Sequence, residues 1–196
     1  MAYPFESPVT QFSDLVKPLA ELAKTDDPFD VDFPNRLPSC RAAYAFDTIK
    51  ERVCAYRSLN AKQQLRSADA FVPESDKSTE WYFIEFKNQK PDNIQSVKDP
   101  DRNELMQKAF DSLSIVAMTF GHQLTMRQIQ ERSVFIVVYP KREYSDRFLA
   151  ALNELSTGTG ERKPLWHLDK LTNAGFYKRI LTINDEEFRA LSLSYM

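Results

Sequence analysis

Residues Ser133-Val-Phe-Ile-Val-Val-Tyr139 form an unbroken apolar run, rich in β-branched side chains and stopped by Pro140. A half-wetted strand alternates apolar and polar residues. A strand apolar on both faces must be covered on both, as central strands of α/β sheets are. A second strand is predicted from Trp81 to Asn88. Its alternation sets Tyr82, Ile84 and Phe86 on one side and Phe83, Glu85 and Lys87 on the other, because successive side chains point to opposite faces. Between the two, after a polar loop over residues 90–101, a helix is expected from about Arg102 to Phe120. Leu105, Met106, Ala109, Phe110, Leu113, Val116, Ala117 and Phe120 recur there at helical spacing. Strand, amphipathic helix and covered strand, in that order, point to an α/β domain.

The remaining elements are read around that unit. Val9 to Lys24 carries Phe12, Leu15, Val16, Leu19 and Leu22 at helical spacing, with Pro18 expected to kink or divide the helix. Asp26 to Pro38 holds three prolines and reads as an extended surface connection. A helix is expected from Ser39 to about Glu51. Val53 to Ser58 reads as a short first strand, with continuation of the helix as the competing reading. Ser67 to Val72 follows as a second strand, and Pro73 to Thr79 is turn chemistry. Beyond Pro140, a helix from about Ser145 to Leu155, a loop opened by Gly158 and Gly160, and a strand from Phe176 to Ile183 are expected. Asn184 is read as the cap of a last helix bearing Glu186, Glu187, Phe188 and Leu191. The order is αβββαβα with an added βα end, around a mixed central sheet flanked by helices.

At 196 residues, 42% of them hydrophobic, the chain suits one domain over 1–196 with a sizeable core. Lys and Arg number 26 against 28 acidic residues, a net charge of -2, so bulk charge cannot drive nucleic-acid binding and any such contact needs a local basic patch. Arg57, Lys62, Arg66, Lys87 and Lys90 supply a local basic bias. No apolar stretch approaches the roughly 20 residues that span a bilayer, and MAYPFESPVTQF has neither the basic nor the apolar part of a signal peptide. A cytoplasmic location and no membrane partner are therefore expected. Cys40 and Cys54 are read as buried free thiols, and His122 and His167 as structural. With 4 glycines, no P-loop, dinucleotide motif or serine-hydrolase elbow is present.

The constellation that could carry chemistry is Asp69 on one strand with Glu85-Phe-Lys87 on the next. Two carboxylates brought together across paired strands can hold Mg²⁺ or Mn²⁺, with the Phe86 backbone carbonyl as a natural third oxygen ligand. Such an ion lowers the pKa of bound water and polarises a phosphoryl oxygen, while Lys87 could orient the water and stabilise charge on phosphorus. The tripeptide acidic-x-Lys alone carries no weight. It occurs twice, at Glu85-Phe-Lys87 and Glu161-Arg-Lys163, as often as chance predicts. Only the first lies in a hydrophobic strand, after a strand bearing an acid and before an amphipathic helix and an apolar strand. The bland reading makes Asp69 a strand-end aspartate, Glu85 and Lys87 a surface ion-pair ladder, and Lys108 a solvated helix residue.

Taken together, SADAFV (67–72), YFIEFKNQ (82–89), ELMQKAFDSLSIVAMTF (104–120) and SVFIVVYP (133–140) resemble the PD-(D/E)XK nuclease superfamily. The resemblance covers residues 39–140. It implies a restriction-endonuclease-like αβββαβ core, with an extra N-terminal helix and a C-terminal strand and helix over about 145–196. It assigns metal binding to Asp69, Glu85 and the Phe86 carbonyl, and the catalytic lysine to Lys87. Glu51 answers to the acid some members add from the first helix, and Gln89 to a polar active-site residue. Ala68 stands where the family pattern has proline. The implied function is Mg²⁺- or Mn²⁺-dependent hydrolysis of nucleic-acid phosphodiesters, of DNA ahead of RNA. Because the superfamily contains silent members, the alternative is a nuclease-fold module that binds a protein partner, as an immunity or defence-system component.

Overall fold

The computed structural model describes residues 12–24, 30–38, 42–60, 64–74, 78–88, 100–120, 124–141 and 164–195. The expected helix over 145–155, the glycine loop after it, Cys40, His122, Lys62, Gln89 and Lys90 lie outside them.

The described residues build an α/β fold around one open, mixed, six-stranded sheet. Its strands are β1 (Val16–Pro18), β2 (Ala42–Ala45), β3 (Ala70–Val72), β4 (Trp81–Phe86), β5 (Ser133–Tyr139) and β6 (Arg179–Asn184), side by side in chain order. The pairs β1–β2, β2–β3 and β3–β4 are antiparallel, and β4–β5 and β5–β6 are parallel. The helices are α1 (Leu19–Leu22), α2 (Phe46–Tyr56), α3 (Pro100–Thr119), α4 (Met126–Arg132), α5 (Asp169–Asn173) and α6 (Asp185–Tyr195). Antiparallel neighbours need only turns or short excursions, whereas the parallel pair β4–β5 needs a crossover, which α3 and α4 provide.

The alternation in β4 and β5 decides what covers each face. Phe83, Phe135, Val137 and Tyr139 join Phe46, Ile49 and Val53 of α2 and Leu105, Ala109, Leu113 and Val116 of α3 in one buried cluster. Tyr82, Ile84, Phe86, Val134, Ile136 and Val138 join Leu19 of α1, Phe33, Leu37 and Phe188 of α6 in the other. All seven residues of β5 are buried, as its unbroken apolar run requires. Rings dominate the first cluster: Phe71 packs against Tyr44, Phe46, Trp81, Phe83 and Phe120.

Several boundaries differ from the sequence reading. Val53–Ser58 is not a strand. Helix α2 runs through Tyr56, since Phe46, Ile49 and Val53 repeat at helical spacing and are buried together. The expected helix from Ser39 begins only at Phe46, and Ala42–Ala45 is a strand held between β1 and β3. A strand thus precedes the first long helix, where the expected order has the helix first. The extra N-terminal helix is reduced to a 3-10 turn at Ser13–Leu15, strand β1 and the four-residue α1. Pro18 ends β1 and caps α1, as a residue with a fixed φ and no N–H can. Helix α4 is an addition, opened by a capping box in which Thr125 and Gln128 satisfy each other's backbone N–H groups. The C-terminal strand and helix are present as β6 and α6. Asn184 caps α6 through its Oδ1, which accepts from the N–H groups of Glu186 and Glu187 at 3.0 and 2.9 Å.

Among the described residues no helix is long and apolar enough to cross a membrane. Cys54 is buried and free.

Candidate functional site

The site lies at the carboxyl end of β4, where the parallel half of the sheet meets the antiparallel half. Open α/β sheets tend to bind ligands outside the carboxyl ends of their strands. Asp69 immediately precedes β3 and lies two residues from Phe71, so both side chains face α2 and α3. Glu85 lies two residues from Phe83 and faces the same way.

Asp69 is held from both ends. Its carbonyl accepts the Phe46 N–H at the start of α2 (3.1 Å), and its Oδ2 accepts the Phe86 N–H (2.7 Å). The residues before it are tied to the helices. The Ala68 N–H donates to Ser112 Oγ at 3.0 Å, the Arg66 N–H to Asp111 Oδ2 at 2.9 Å, and Ser67 Oγ to Asp47 Oδ1 at 2.6 Å. Three hydrogen bonds to α2 and α3 therefore set the approach of β3 before it pairs with β4.

Glu85 is almost completely buried. Both its carboxylate oxygens accept from the ammonium of Lys108 on α3, at 2.8 Å (Oε1) and 3.0 Å (Oε2). The same Nζ lies 3.7 Å from Asp69 Oδ1 and 3.7 Å from Glu104 Oε1. Asp69 and Glu85 thus converge on one point, their separation bounded by the two distances to that nitrogen. Lys87 is also buried, with its Nζ 3.6 Å from Glu85 Oε1.

The Phe86 carbonyl can be oriented from its neighbours. The Lys87 N–H donates to Val138 O on β5 at 2.8 Å. Across a trans peptide the C=O and N–H point in opposite directions, and no cis peptide is present among the described residues. The carbonyl of Phe86 is therefore directed away from β5, to the Asp69 side. Its ring is buried in the opposite cluster against Phe33 and Phe188.

Burial pushes the Asp69 carboxyl well above its ordinary value, and the charge of Glu85 pushes the same way, against Lys108 and the Phe86 N–H. Burial also raises Glu85, opposed by Lys108 and Lys87. For Lys108 burial works against the charged form, but Glu85 and Asp69 outweigh it and hold the ammonium well above the usual lysine range. The site thus disfavours the charge of both carboxyls and favours that of the ammonium, the kind of perturbation that concentrates at functional sites.

Beside these groups opens a polar cavity of about 390 Å³, walled by Asp47 and Lys50 of α2, Gln64 to Ser67, and Glu104, Gln107 and Lys108 of α3. Lys108 and Glu104 belong to both the cavity wall and the carboxylate group, whereas Lys87 is folded against Glu85. The α2 acid that acts on the site is Asp47, whose charge bears on Asp69. Glu51, one turn further along, is exposed. Arg66 reaches the cavity, and Arg57 is exposed away from its wall.

Sequence reasoning singled out Asp69, Glu85, Phe86 and Lys87, which the fold brings together. Asp47 and Glu104 were not among them, and Lys108, expected as a solvated helix residue, is instead mostly buried against Glu85. Lys108 follows Glu104 by one helical turn and adjoins the buried Leu105 and Ala109. A charged pair on the margin of an apolar stripe is the signal that could have found it. Among the described residues, no three His, Cys, Asp or Glu side chains are grouped to hold a metal ion. His167 is exposed on a 3-10 turn. No family model matches the chain, and neither a curated protein nor a solved structure matches it.

Proposed function

We propose that this chain is a divalent-metal-dependent nuclease of the PD-(D/E)XK, restriction-endonuclease-like kind, hydrolysing phosphodiesters in DNA ahead of RNA. The observation that carries the reading is the convergence of Asp69 and Glu85 on one cationic position, with the Phe86 carbonyl on the same side and a polar cavity alongside. The run of β2 to β5 as two antiparallel pairs followed by one parallel pair supports it.

The donor set suits the ion. Mg²⁺ and Mn²⁺ favour carboxylate and carbonyl oxygens, and Mg²⁺ is commonly held by one or two carboxylates with waters completing its shell. Asp69 and Glu85 would hold it, with the Phe86 carbonyl. When bound, the ion lowers the pKa of a water molecule and neutralises charge on the phosphoryl group. Asp69 is positioned for this by the Phe86 and Phe46 N–H groups, and Glu85 by its burial. The Lys87 ammonium supplies positive charge next to Glu85. Lys50 and Arg66 on the cavity wall offer cations to a phosphate backbone.

The test is cleavage of single- and double-stranded DNA and RNA with Mn²⁺ or Mg²⁺. Wild type should cleave and Glu85→Ala or Lys87→Ala should not. Cleavage that persists in both variants would assign the activity elsewhere.

A second reading is favoured by one observation. The Lys108 ammonium bonds both Glu85 oxygens and lies close to Asp69. This satisfies the carboxylates without a metal, as befits a catalytically silent, protein-binding member of the same fold. Absence of cleavage across the substrate panel, together with melting temperatures indifferent to Mn²⁺, would favour that reading.

A further inference from the structure

The cationic position between Asp69 and Glu85 is filled by a side chain of the chain itself. Lys108 Nζ bonds both oxygens of Glu85 and stands 3.7 Å from Asp69 Oδ1. Its side chain is 16% exposed, and the exposed part lies on the cavity wall with Glu104 and Gln107. A divalent cation drawn to the same two carboxylates would meet an ammonium already hydrogen-bonded to them. Two cations at one point repel strongly in a partly desolvated setting. The ammonium has somewhere to go. Lysine has a flexible four-carbon stem, and Glu104 Oε1, already 3.7 Å from Nζ, lies on the cavity wall.

We infer that Lys108 is a built-in competitor of the divalent ion, seated on Asp69 and Glu85 in the metal-free protein and handed to the cavity when the ion binds. The inference rests on the metal-dependent reading proposed above. Two consequences follow from exchange of one cation for another. The ion binds more weakly than the bare carboxylates would allow, because it must displace a bonded ammonium. Its arrival also frees a positive charge beside Lys50 and Arg66, where a phosphate would be met. By linkage, the metal and a polyanion in the cavity should then each raise the affinity of the other.

The experiment uses the full chain and Mn²⁺ alone, titrated by calorimetry, so no catalytic turnover is involved. Lys108→Met should bind Mn²⁺ about tenfold or more tightly than wild type, and Glu85→Gln should lose the binding. Equal affinity in wild type and Lys108→Met would overturn the competition while leaving the metal site intact. Absence of Mn²⁺ binding in both proteins would overturn the metal-dependent reading, and the inference with it.

A second measurement on wild type avoids any folding defect of the variant. Reductive methylation, read by mass spectrometry, should modify Lys108 several-fold faster in saturating Mn²⁺ than without it, relative to Lys50. Unchanged or slower labelling of Lys108, with Mn²⁺ bound, would refute the hand-over.

Discussion

Replacing Lys108 with methionine removes the ammonium and keeps an unbranched stem. At an effective dielectric constant of about 20, unit charges at 2.8 Å attract by about 6 kcal/mol. Desolvating the ammonium offsets several kcal/mol of that in wild type. In the variant Glu85 keeps its burial and loses its nearest cation, retaining Lys87 at 3.6 Å. Removing one partner of a buried pair typically costs about 3–5 kcal/mol. The remaining lysine places the expected loss near the lower end, about 3 kcal/mol at neutral pH. In urea, with a slope of about 2 kcal/mol per molar, the unfolding midpoint should fall by about 1.5 M. Combining Lys108→Met with Glu85→Gln removes both charges, and the double mutant should recover part of the loss, giving a coupling of about 2 kcal/mol. A midpoint shift below about 0.2 M, with no coupling, would show that Lys108 behaves as a solvated helix lysine and would refute the reasoning.

Asp69→Asn should leave the metal-free protein as stable as wild type or more so at pH 7, because asparagine keeps an acceptor for the Phe86 N–H and removes a carboxylate that burial and Glu85 disfavour. A raised folded pKa contributes stability that is full below the unfolded value of about 3.9 and lost as pH rises through the folded value, so the gain should vanish near pH 4 in paired thermal melts. Burial pushes Glu80 up, but Lys178, Tyr82 and Arg179 outweigh it and hold its pKa below the ordinary range. The stability this confers is present above the unfolded value of about 4.3 and lost as pH falls through the depressed one. Glu80→Gln should therefore flatten the acid limb of the melting curve, and an unchanged limb would discount those contacts. Phe71→Ala empties the centre of the ring cluster and should cost about 3–5 kcal/mol in urea unfolding, whereas a loss below about 1 kcal/mol would mean the cluster is not the core it appears from its burial.

What the sequence determined by itself is what short-range periodicity dictates. The unbroken run at 133–139 cannot be wetted on either face, so it became a strand covered on both sides. Alternation in Trp81–Phe86 divided Phe83 and Glu85 from Tyr82, Ile84 and Phe86, and the two buried clusters divide the apolar residues in the same way. The apolar stripe of α3 and the Asn184 cap are equally local, since propensity and capping act within a turn or two. The capping box at Thr125 was as legible as that cap and was passed over.

Tertiary contacts decided the rest. Ala42-Ala-Tyr-Ala45 has little strand character, and it is a strand because β1 and β3 supply ladder partners on both edges. Val53 sits in a helix because Ile49 and Phe46, one and two turns back, are buried with it, a repeat that the six residues from Val53 to Ser58 do not contain. The same holds for the site. Asp69, Glu85 and Lys87 were recognisable because two adjacent strands must bring them near one another. Lys108 comes from a helix 23 residues beyond Glu85, and Asp47 from one that precedes β3. Which helical charge meets a strand's carboxylate depends on how each helix is rotated on the sheet. That rotation is set by the whole apolar stripe at once. Along α2 itself Asp47 and Glu51 share one exposed side, a turn apart, and Asp47 borders the cavity because it sits at the helix start beside Ser67.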